Sequence, residues 1–284
     1  MRGDQPTFTA YFCPMPYLPL SLLLALLCTC GPALLPAQET VDLTKLELLV
    51  RLPDGLAEVS GLTVQGDDLL AVEDEHGLVY RMKLANGDLR TQTKFWKDGD
   101  YEGIEAVGDE VWVVKSTGTL YRILGQGTAG QRVEKYNTWL TGANDVEGLG
   151  YDAQHHRLLL ACKDDARDDG RPREDRYVFA FDLDTRVLGE EAVFVIDRGE
   201  ALEDFAPSAL AVHPVSGALY LSSSVENLLL VLAADGSQLG LYELDKELLP
   251  QAEGLAFGPD GTLYLSTEAK GGEPARIYKL PLRP

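Results

Sequence analysis

The chain has little cysteine, histidine or methionine, which removes several kinds of site from consideration. It contains 4 cysteines, 4 histidines and 3 methionines in 284 residues. Three cysteines lie within the first 30 residues, so the remaining chain keeps only Cys162 and no partner for an intramolecular disulfide. Cys162 follows the apolar run 158–161, and we expect it to be a buried core thiol. No pair of histidines has the spacing of zinc ligands.

Basic residues are also scarce relative to acidic ones. Lysine and arginine number 25 against 45 acidic residues, which gives a formal net charge of −20. Because phosphates repel such a surface, the composition argues against nucleic acid as a partner and against docking on anionic lipid. Two interpretations of the acidity stay open: a solvated monomeric surface, or carboxylates gathered to bind Ca²⁺.

One long apolar run is present near the amino terminus, at Leu18–Cys30. It has the length of a signal-peptide core and is short for a membrane span. We therefore expect residues 1–37 to be a signal peptide or a lipoprotein-type leader, and residues 38–284 to be the folded domain. The protein is predicted to be exported to the periplasm, the cell surface or the medium, with a lipid anchor as the one expected membrane contact.

A repeated three-residue step organises the rest of the chain. A Ser or Glu, then Gly or Ala, then Leu or Ile opens a short apolar strand at positions 60, 102, 147, 208 and 253, and these positions are separated by 42, 45, 61 and 45 residues. A turn of Gly, Asp, Asn, Pro or His follows each opening strand, and a second strand follows the turn. A repeat of about 40–50 residues with several short strands in each unit is typical of a β-propeller.

The repeat predicts an all-β fold, a single β-propeller with five blades. The apolar segment Leu46–Leu52 precedes the first unit, and we expect it to supply the outer strand of the last blade and close the ring. A six-bladed alternative would need four further strands. The long third unit does not supply them, because its extra residues are largely the charged run 164–176, which we interpret as a loop.

Three phrases of the sequence resemble a known family. The segments 144–149, 251–257 and 261–266 are similar to those of the SdiA-regulated (YjiK-like) family of exported bacterial propellers. The resemblance extends from about residue 46 to residue 280 and implies the propeller fold. It implies no activity, because the biochemical role of that family is not established.

Propeller geometry converts the repeat into a candidate site. The first strand of each blade starts on one face of the disc, here termed the top face, and the second strand ends there. The strand starts bring together Ser60, Glu102, Glu147, Ser208 and Glu253, and the strand ends add Glu73, Asp74, Lys115, Lys163 and Glu268. The three ring glutamates are candidate Ca²⁺ ligands, and the other residues are candidate ligand-binding groups. A purely structural alternative is that the ring side chains form hydrogen bonds with backbone groups of the neighbouring blade and so join the blades.

Two functions follow from these residues. The first is an exported propeller that binds a small molecule, a glycan or a protein at the central pocket of its top face. The second is a Ca²⁺-dependent hydrolase of lactonase, esterase or phytase-like phosphatase type, with Asp145 or Glu268 as the base. The absence of a Ser-His-Asp arrangement and the serines at two ring positions favour binding over catalysis.

Overall fold

The computed structural model describes residues 41–164, 172 and 174–282. The predicted leader at 1–37 and residues 165–171 and 173 of the charged loop lie outside the described residues. Within the described part, no helix is long and apolar enough to cross a membrane. The helical elements found there are three short 3-10 helices: Leu43–Lys45, Asp54–Leu56 and Glu200–Leu202.

The strands form five antiparallel sheets of four strands each, which are the five blades. Blade one contains β2 (Val59–Gln65), β3 (Asp68–Glu73), β4 (Leu78–Lys83) and β5 (Leu89–Lys94). Blade two contains β6 (Tyr101–Val107), β7 (Glu110–Lys115), β8 (Leu120–Leu124) and β9 (Arg132–Tyr136). Blade three contains β10 (Val146–Asp152), β11 (Arg157–Cys162), β12 (Arg176–Asp182) and β13 (Val187–Ile196). Blade four contains β14 (Ala209–Val212), β15 (Leu219–Ser223), β16 (Leu228–Leu232) and β17 (Gln238–Glu243).

Blade five is completed by the amino-terminal strand. Its sequence-consecutive strands are β18 (Ala252–Phe257), β19 (Leu263–Thr267) and β20 (Arg276–Leu280), and β1 (Glu47–Arg51) pairs antiparallel with β20 at its outer edge. The pairing satisfies the backbone groups of β20 that would otherwise form an open edge. The prediction of five blades closed by the segment before the first unit is confirmed.

The apolar core lies between the blades. Five clusters of buried side chains each join two neighbouring blades. Along β11, Leu158 and Leu160 pack toward blade two, whereas Leu159 packs toward blade four, as the two-residue period of a strand requires. Cys162 is buried in the same core, which confirms the expectation of a core thiol.

Candidate functional site at the top of the axial channel

The residues of the predicted ring occupy a recurring irregularity of the first strands. In four blades the pairing with the second strand shifts by one residue at Ser60, Glu102, Glu147 and Glu253. A β-bulge of this kind leaves one residue unpaired and redirects its side chain. All four residues line a narrow space of about 10 Å³ on the propeller axis, whereas Ser208, the fifth residue of the predicted ring, does not line it.

The glycine that follows four of the five ring residues allows the first strands to approach closely. A Cβ placed on Gly103 would lie 2.8 Å from the Cβ of Leu149 in the next blade. A Cβ on Gly254 would lie 2.9 Å from Cγ of Leu62, across the junction that closes the ring. Packing between the first strands therefore explains the glycine of the repeat step, and it does not account for the preceding Glu.

Glu147 forms the central ion pair of the ring. Lys163 Nζ donates to Glu147 Oε1 at 2.9 Å, and the Glu147 side chain is 11% exposed. Burial raises the pKa of Glu147, and the Lys163 ammonium offsets part of that rise. Burial disfavours the charge on Lys163, but the attraction of Glu147, Asp145 and Glu253 raises the pKa of Lys163 overall. Lys163 is thus held as a cation among three carboxyl groups.

Glu102 is in a different state from Glu147. Burial, repulsion by Glu147 and Asp100, and a hydrogen bond shared with Asp100 raise the pKa of Glu102 to about 10. With that pKa, Glu102 keeps its proton at neutral pH and shares a hydrogen bond with Asp100. Asp100 also accepts a hydrogen bond from the Ser116 hydroxyl. The ring consequently combines Glu102, whose pKa is strongly raised, with the hydrogen-bonded pair of Glu147 and Lys163.

The remaining acidic groups of the mouth also retain protons well above the usual range. Burial, then repulsion by Glu147 and Glu268, raises the pKa of Glu253 to about 8. The pKa of Glu268 is raised to about 7 by burial, with repulsion by Asp74 next. Burial and the neighbouring Glu58 raise the pKa of Asp74 to about 6. These carboxyl groups therefore repel one another electrostatically across the mouth.

The two ring serines have a different arrangement from the ring glutamates. Ser60 Oγ donates to the backbone oxygen of Tyr101 at 2.6 Å, and Ser208 Oγ donates to the backbone oxygen of Ala252 at 2.6 Å. Each bond joins one blade to the next. At the two serine positions the ring residue therefore hydrogen-bonds to the backbone of the next blade, which is the structural role named as the alternative above. The role of these serines in ligand binding stays a prediction.

Two further predicted residues lie outside the carboxyl cluster. Glu73 is buried and accepts hydrogen bonds from the backbone nitrogens of Glu75 and His76, so it orders the turn after β3. Lys115 Nζ lies 5.7 Å from the centroid of the Tyr101 ring. The structure therefore brings together Asp74, Glu102, Glu147, Lys163, Glu253 and Glu268, and gives Glu73 and Lys115 other neighbours.

A large cleft begins at the ring and continues across the top face of blades four and five. Its volume is about 820 Å³, and its inner end is formed by Lys163 and Glu253. Its outer wall carries Lys246, Lys270 and Arg276. Asn227 also lines the cleft; its Nδ2 donates to the Ser224 oxygen, while Oδ1 is buried with no hydrogen-bond partner among the described residues. A ligand donor in the cleft would satisfy that oxygen.

The predicted Ca²⁺ site can be compared with the positions of the ring side chains. Among the described residues, no group of three or more His, Cys, Asp or Glu is placed to hold a metal ion. One ring carboxyl already has a cationic partner, because the Lys163 ammonium donates a hydrogen bond to Glu147. Binding of Ca²⁺ by Glu102, Glu147 and Glu253 would require the three carboxyls to converge and Lys163 to withdraw, and it stays a prediction.

Sequence reasoning missed two residues of this site. Asp100 precedes Glu102 by two residues, the spacing that places side chains on one face of a strand, and that spacing was the available signal. Asn227 lies in the turn between β15 and β16 with φ of 54°, a conformation that asparagine tolerates better than most residues. No pattern in the sequence connects Asn227 with the ring, because the connection is made by the packing of blades.

The fold and the site define a five-bladed propeller with a carboxyl-rich axial mouth. A family model described as SdiA-regulated matches residues 44–281, and the chain belongs to that family. The family predicted from the three sequence phrases is thereby confirmed. No curated protein matches the sequence significantly.

Solved structures of similar fold include enzymes of different kinds. Glutaminyl cyclase of Myxococcus xanthus aligns with a TM-score of 0.57 at 14% identity, covering 84% of this chain and 96% of that one. A gluconolactonase of Xanthomonas campestris gives 0.53 at 15% identity, covering 80% and 73%. The PQQ-bound aldose sugar dehydrogenase of Streptomyces coelicolor gives 0.50 at 14% identity, covering 87% and 99%. Similarity at this level of identity establishes the fold alone.

Proposed function

We propose that the protein is an exported propeller that binds a small polar molecule, or the end of a glycan or protein chain, in the top-face cleft. The observation that carries the proposal is the continuity between the cleft and the ring: Glu253 lines both, and Lys163 of the cleft donates to the ring residue Glu147. A volume of about 820 Å³ lies within the range of small-molecule sites. The predicted leader supports export.

The polar groups of the cleft indicate the kind of ligand. Lys246 and Lys270 make no ion pair with any described residue, whereas Glu253 and Glu102 hold protons at neutral pH. The outer wall therefore carries two lysines without an ion pair to a described residue, beside Glu247 and Glu273, and the ring presents carboxyl groups that donate as well as accept. A ligand with several hydroxyl groups and one acidic group, such as a sugar acid, would pair with both ends.

A hydrolase is the second candidate, and one contact favours it. Glu102 shares a hydrogen bond with Asp100, so a carboxylic acid whose pKa is raised to about 10 lies next to a second carboxyl group at the mouth. Such a pair separates the roles of general acid and general base. Ca²⁺ bound at the ring would add a Lewis acid for a lactone, ester or phosphate. The neighbouring carboxyls Asp145 and Glu268 keep their predicted role as alternative bases.

The binding proposal is tested by a thermal-shift screen of sugar acids, neutral sugars and amino acids on the leaderless protein. A bound ligand raises the melting temperature by mass action. We expect a sugar acid to raise it, and we expect Lys163→Met and Lys270→Met to weaken that effect at least tenfold in ligand concentration. Lys135→Met, on an exposed edge strand of blade two, is the matched control. Binding unchanged by both cleft variants would contradict the proposal.

The hydrolase candidate is tested separately. The same protein is melted with millimolar Ca²⁺ and with excess chelator, and is then assayed on lactones, chromogenic esters, phosphates and a glutaminyl peptide. Turnover that is lost in Glu102→Gln would support catalysis. A Ca²⁺-dependent rise in melting temperature that is lost in Glu147→Gln would support the ring as the metal site. Inactivity on the whole panel, with no shift in Ca²⁺, would leave ligand binding as the function.

A further inference from the structure

A second pocket lies at the opposite end of the axial channel. Its volume is about 160 Å³, and it is lined where the first strands of the blades end. All five blades contribute to it: the lining includes Thr63 of blade one, Glu105 of blade two, Tyr151 of blade three, Val212 of blade four and Phe257 of blade five. The pocket is therefore a feature of the ring as a whole.

Glu105 is the single charged side chain of this pocket. Its Oε1 accepts from Thr63 Oγ at 2.7 Å and from its neighbour's backbone nitrogen, Ala106 N, at 2.9 Å. The backbone of Tyr151 in blade three also donates to the carboxylate. Three blades therefore hold Glu105 in one position. Within the described part of the chain, no Lys, Arg or His forms an ion pair with it.

The rest of the wall is mostly apolar. Val64, Ala211, Val212, Ala256 and Phe257 surround the space next to the carboxyl. A carboxylate in such surroundings lacks much of its solvation, and burial accordingly raises the pKa of Glu105 to about 7 despite the three donors. A cation brought next to Glu105 would replace the missing water and favour the ionised form.

The size of the pocket limits the cation. An apolar protein cavity of about 150 Å³ accommodates benzene, so about 160 Å³ suits one six-membered ring or a branched chain of similar bulk. A hydrated metal ion would leave the apolar wall facing water. An organic ammonium instead places its charge on Glu105 and its carbon atoms against Phe257 and the valines.

We propose that this bottom pocket binds a small organic ammonium ion with an apolar body of about one ring, held by Glu105. The site is separate from the top-face cleft, because the channel between them is reduced to a space of about 10 Å³ that is lined by the ring glutamates together with Leu62, Leu149, Leu210 and Leu255. Such a space is at the lower limit for a single water molecule. The proposal therefore stands or falls independently of the proposed function of the top face.

The experiment is isothermal titration of the leaderless protein with benzylammonium at about pH 8, above the pKa of about 7 to which Glu105 is raised, so that most of Glu105 is ionised. Benzyl alcohol, of nearly the same shape and without charge, is titrated in parallel. We expect benzylammonium to bind at least tenfold more tightly than the alcohol. Equal binding of the two compounds, or no binding of benzylammonium at up to about 10 mM, would overturn the proposal.

Variants place the binding at Glu105. Glu105→Gln keeps the size and the acceptor for Thr63, and it should weaken benzylammonium at least tenfold while leaving benzyl alcohol unchanged. Asp109→Asn, an exposed carboxylate on the same hairpin, is the matched control and should change neither. Benzylammonium binding that persists in Glu105→Gln would exclude this pocket. If Glu105→Gln does not fold, Thr63→Val, which removes one donor to Oε1, takes its place as the test variant. The comparison of benzylammonium with benzyl alcohol on the unaltered protein tests the need for a charge in either case.

Discussion

The Ser208 hydroxyl donates a hydrogen bond to the backbone oxygen of Ala252, 2.6 Å away, and so joins blade four to blade five. Ser60 makes the same bond to Tyr101, between blades one and two. In both cases the accepting residue directly precedes a ring glutamate, Glu253 or Glu102. The serine positions of the repeat therefore hold in place the backbone that presents the neighbouring glutamates.

This relationship predicts a loss of stability when a serine is replaced. Ser208→Ala removes a buried donor from the Ala252 oxygen, and we expect the free energy of unfolding to fall by about 1–3 kcal/mol. Urea denaturation measures the change. Ser237→Ala, in an exposed turn, should cost less than about 0.5 kcal/mol. Equal losses in the two variants would show that the interblade bond contributes nothing.

The protonation of Glu102 predicts an unusual dependence of stability on pH. Its pKa is raised to about 10 in the folded protein from 4.5, mainly by burial. Between these values the folded state holds a proton that the unfolded chain has released, so this group makes the free energy of unfolding fall as pH rises. The slope approaches about 1.4 kcal/mol per pH unit for one proton.

Replacing Glu102 isolates that contribution. Glu102→Gln cannot ionise, so we expect it to match the parent protein near pH 5 and to exceed it in stability near pH 9 by about 2 kcal/mol or more. Urea midpoints at the two pH values provide the measurement. Glu191→Gln, at an exposed position, should follow the parent at both. A Glu102→Gln curve parallel to that of the parent would refute the protonated state.

The ion pair of Glu147 and Lys163 predicts non-additive substitutions. Lys163→Met leaves the Glu147 carboxylate buried without its cation, and we expect a loss of about 2 kcal/mol near pH 7. The double variant Lys163→Met/Glu147→Gln should lose less than the single variant, since the uncompensated charge is gone. Chemical denaturation of the four proteins in the cycle supplies the coupling. Additive losses would mean that the 2.9 Å contact does not stabilise the fold.

The glycine of the repeat step predicts a steric limit. A Cβ on residue 103 would lie 2.8 Å from Leu149 Cβ, so Gly103→Ala must push blades two and three apart. We expect a loss of about 2 kcal/mol or more in unfolding free energy. Gly199→Ala, where a Cβ meets nothing within 4 Å, should stay within about 0.5 kcal/mol. A similar effect at both positions would contradict the packing explanation.

The blade arrangement could be predicted from the sequence because the pattern of apolar residues along a strand shows which of its faces are buried. Alternating or continuous apolar runs, the latter as along Leu158–Cys162, and turns rich in Gly and Asp recur in the units. The segment at Leu46–Leu52 had no partner within its own unit, and that surplus indicated the closure of the ring with β20. Local chemistry and repetition were sufficient for these conclusions.

The candidate site was only partly readable. Equivalent positions in a repeat share a place around the axis, so the alignment located Glu102, Glu147 and Glu253 at one mouth. It did not reveal that Glu102 is neutral while Glu147 pairs with Lys163, because protonation depends on burial and on distances between blades. Glu105 lies in the same strand as Glu102, and nothing in the sequence distinguishes it from an ordinary polar strand residue.

The sequence by itself determined the number of blades, the closing strand, the family and the identity of the ring residues, since each rests on local periodicity and on repetition. The tertiary structure decided which ring residues join blades and which face the channel, and it revealed the top-face cleft and the bottom pocket. Those features arise where side chains from separate blades meet across the axis. Distances of that kind are set by packing, which no single segment of the chain contains.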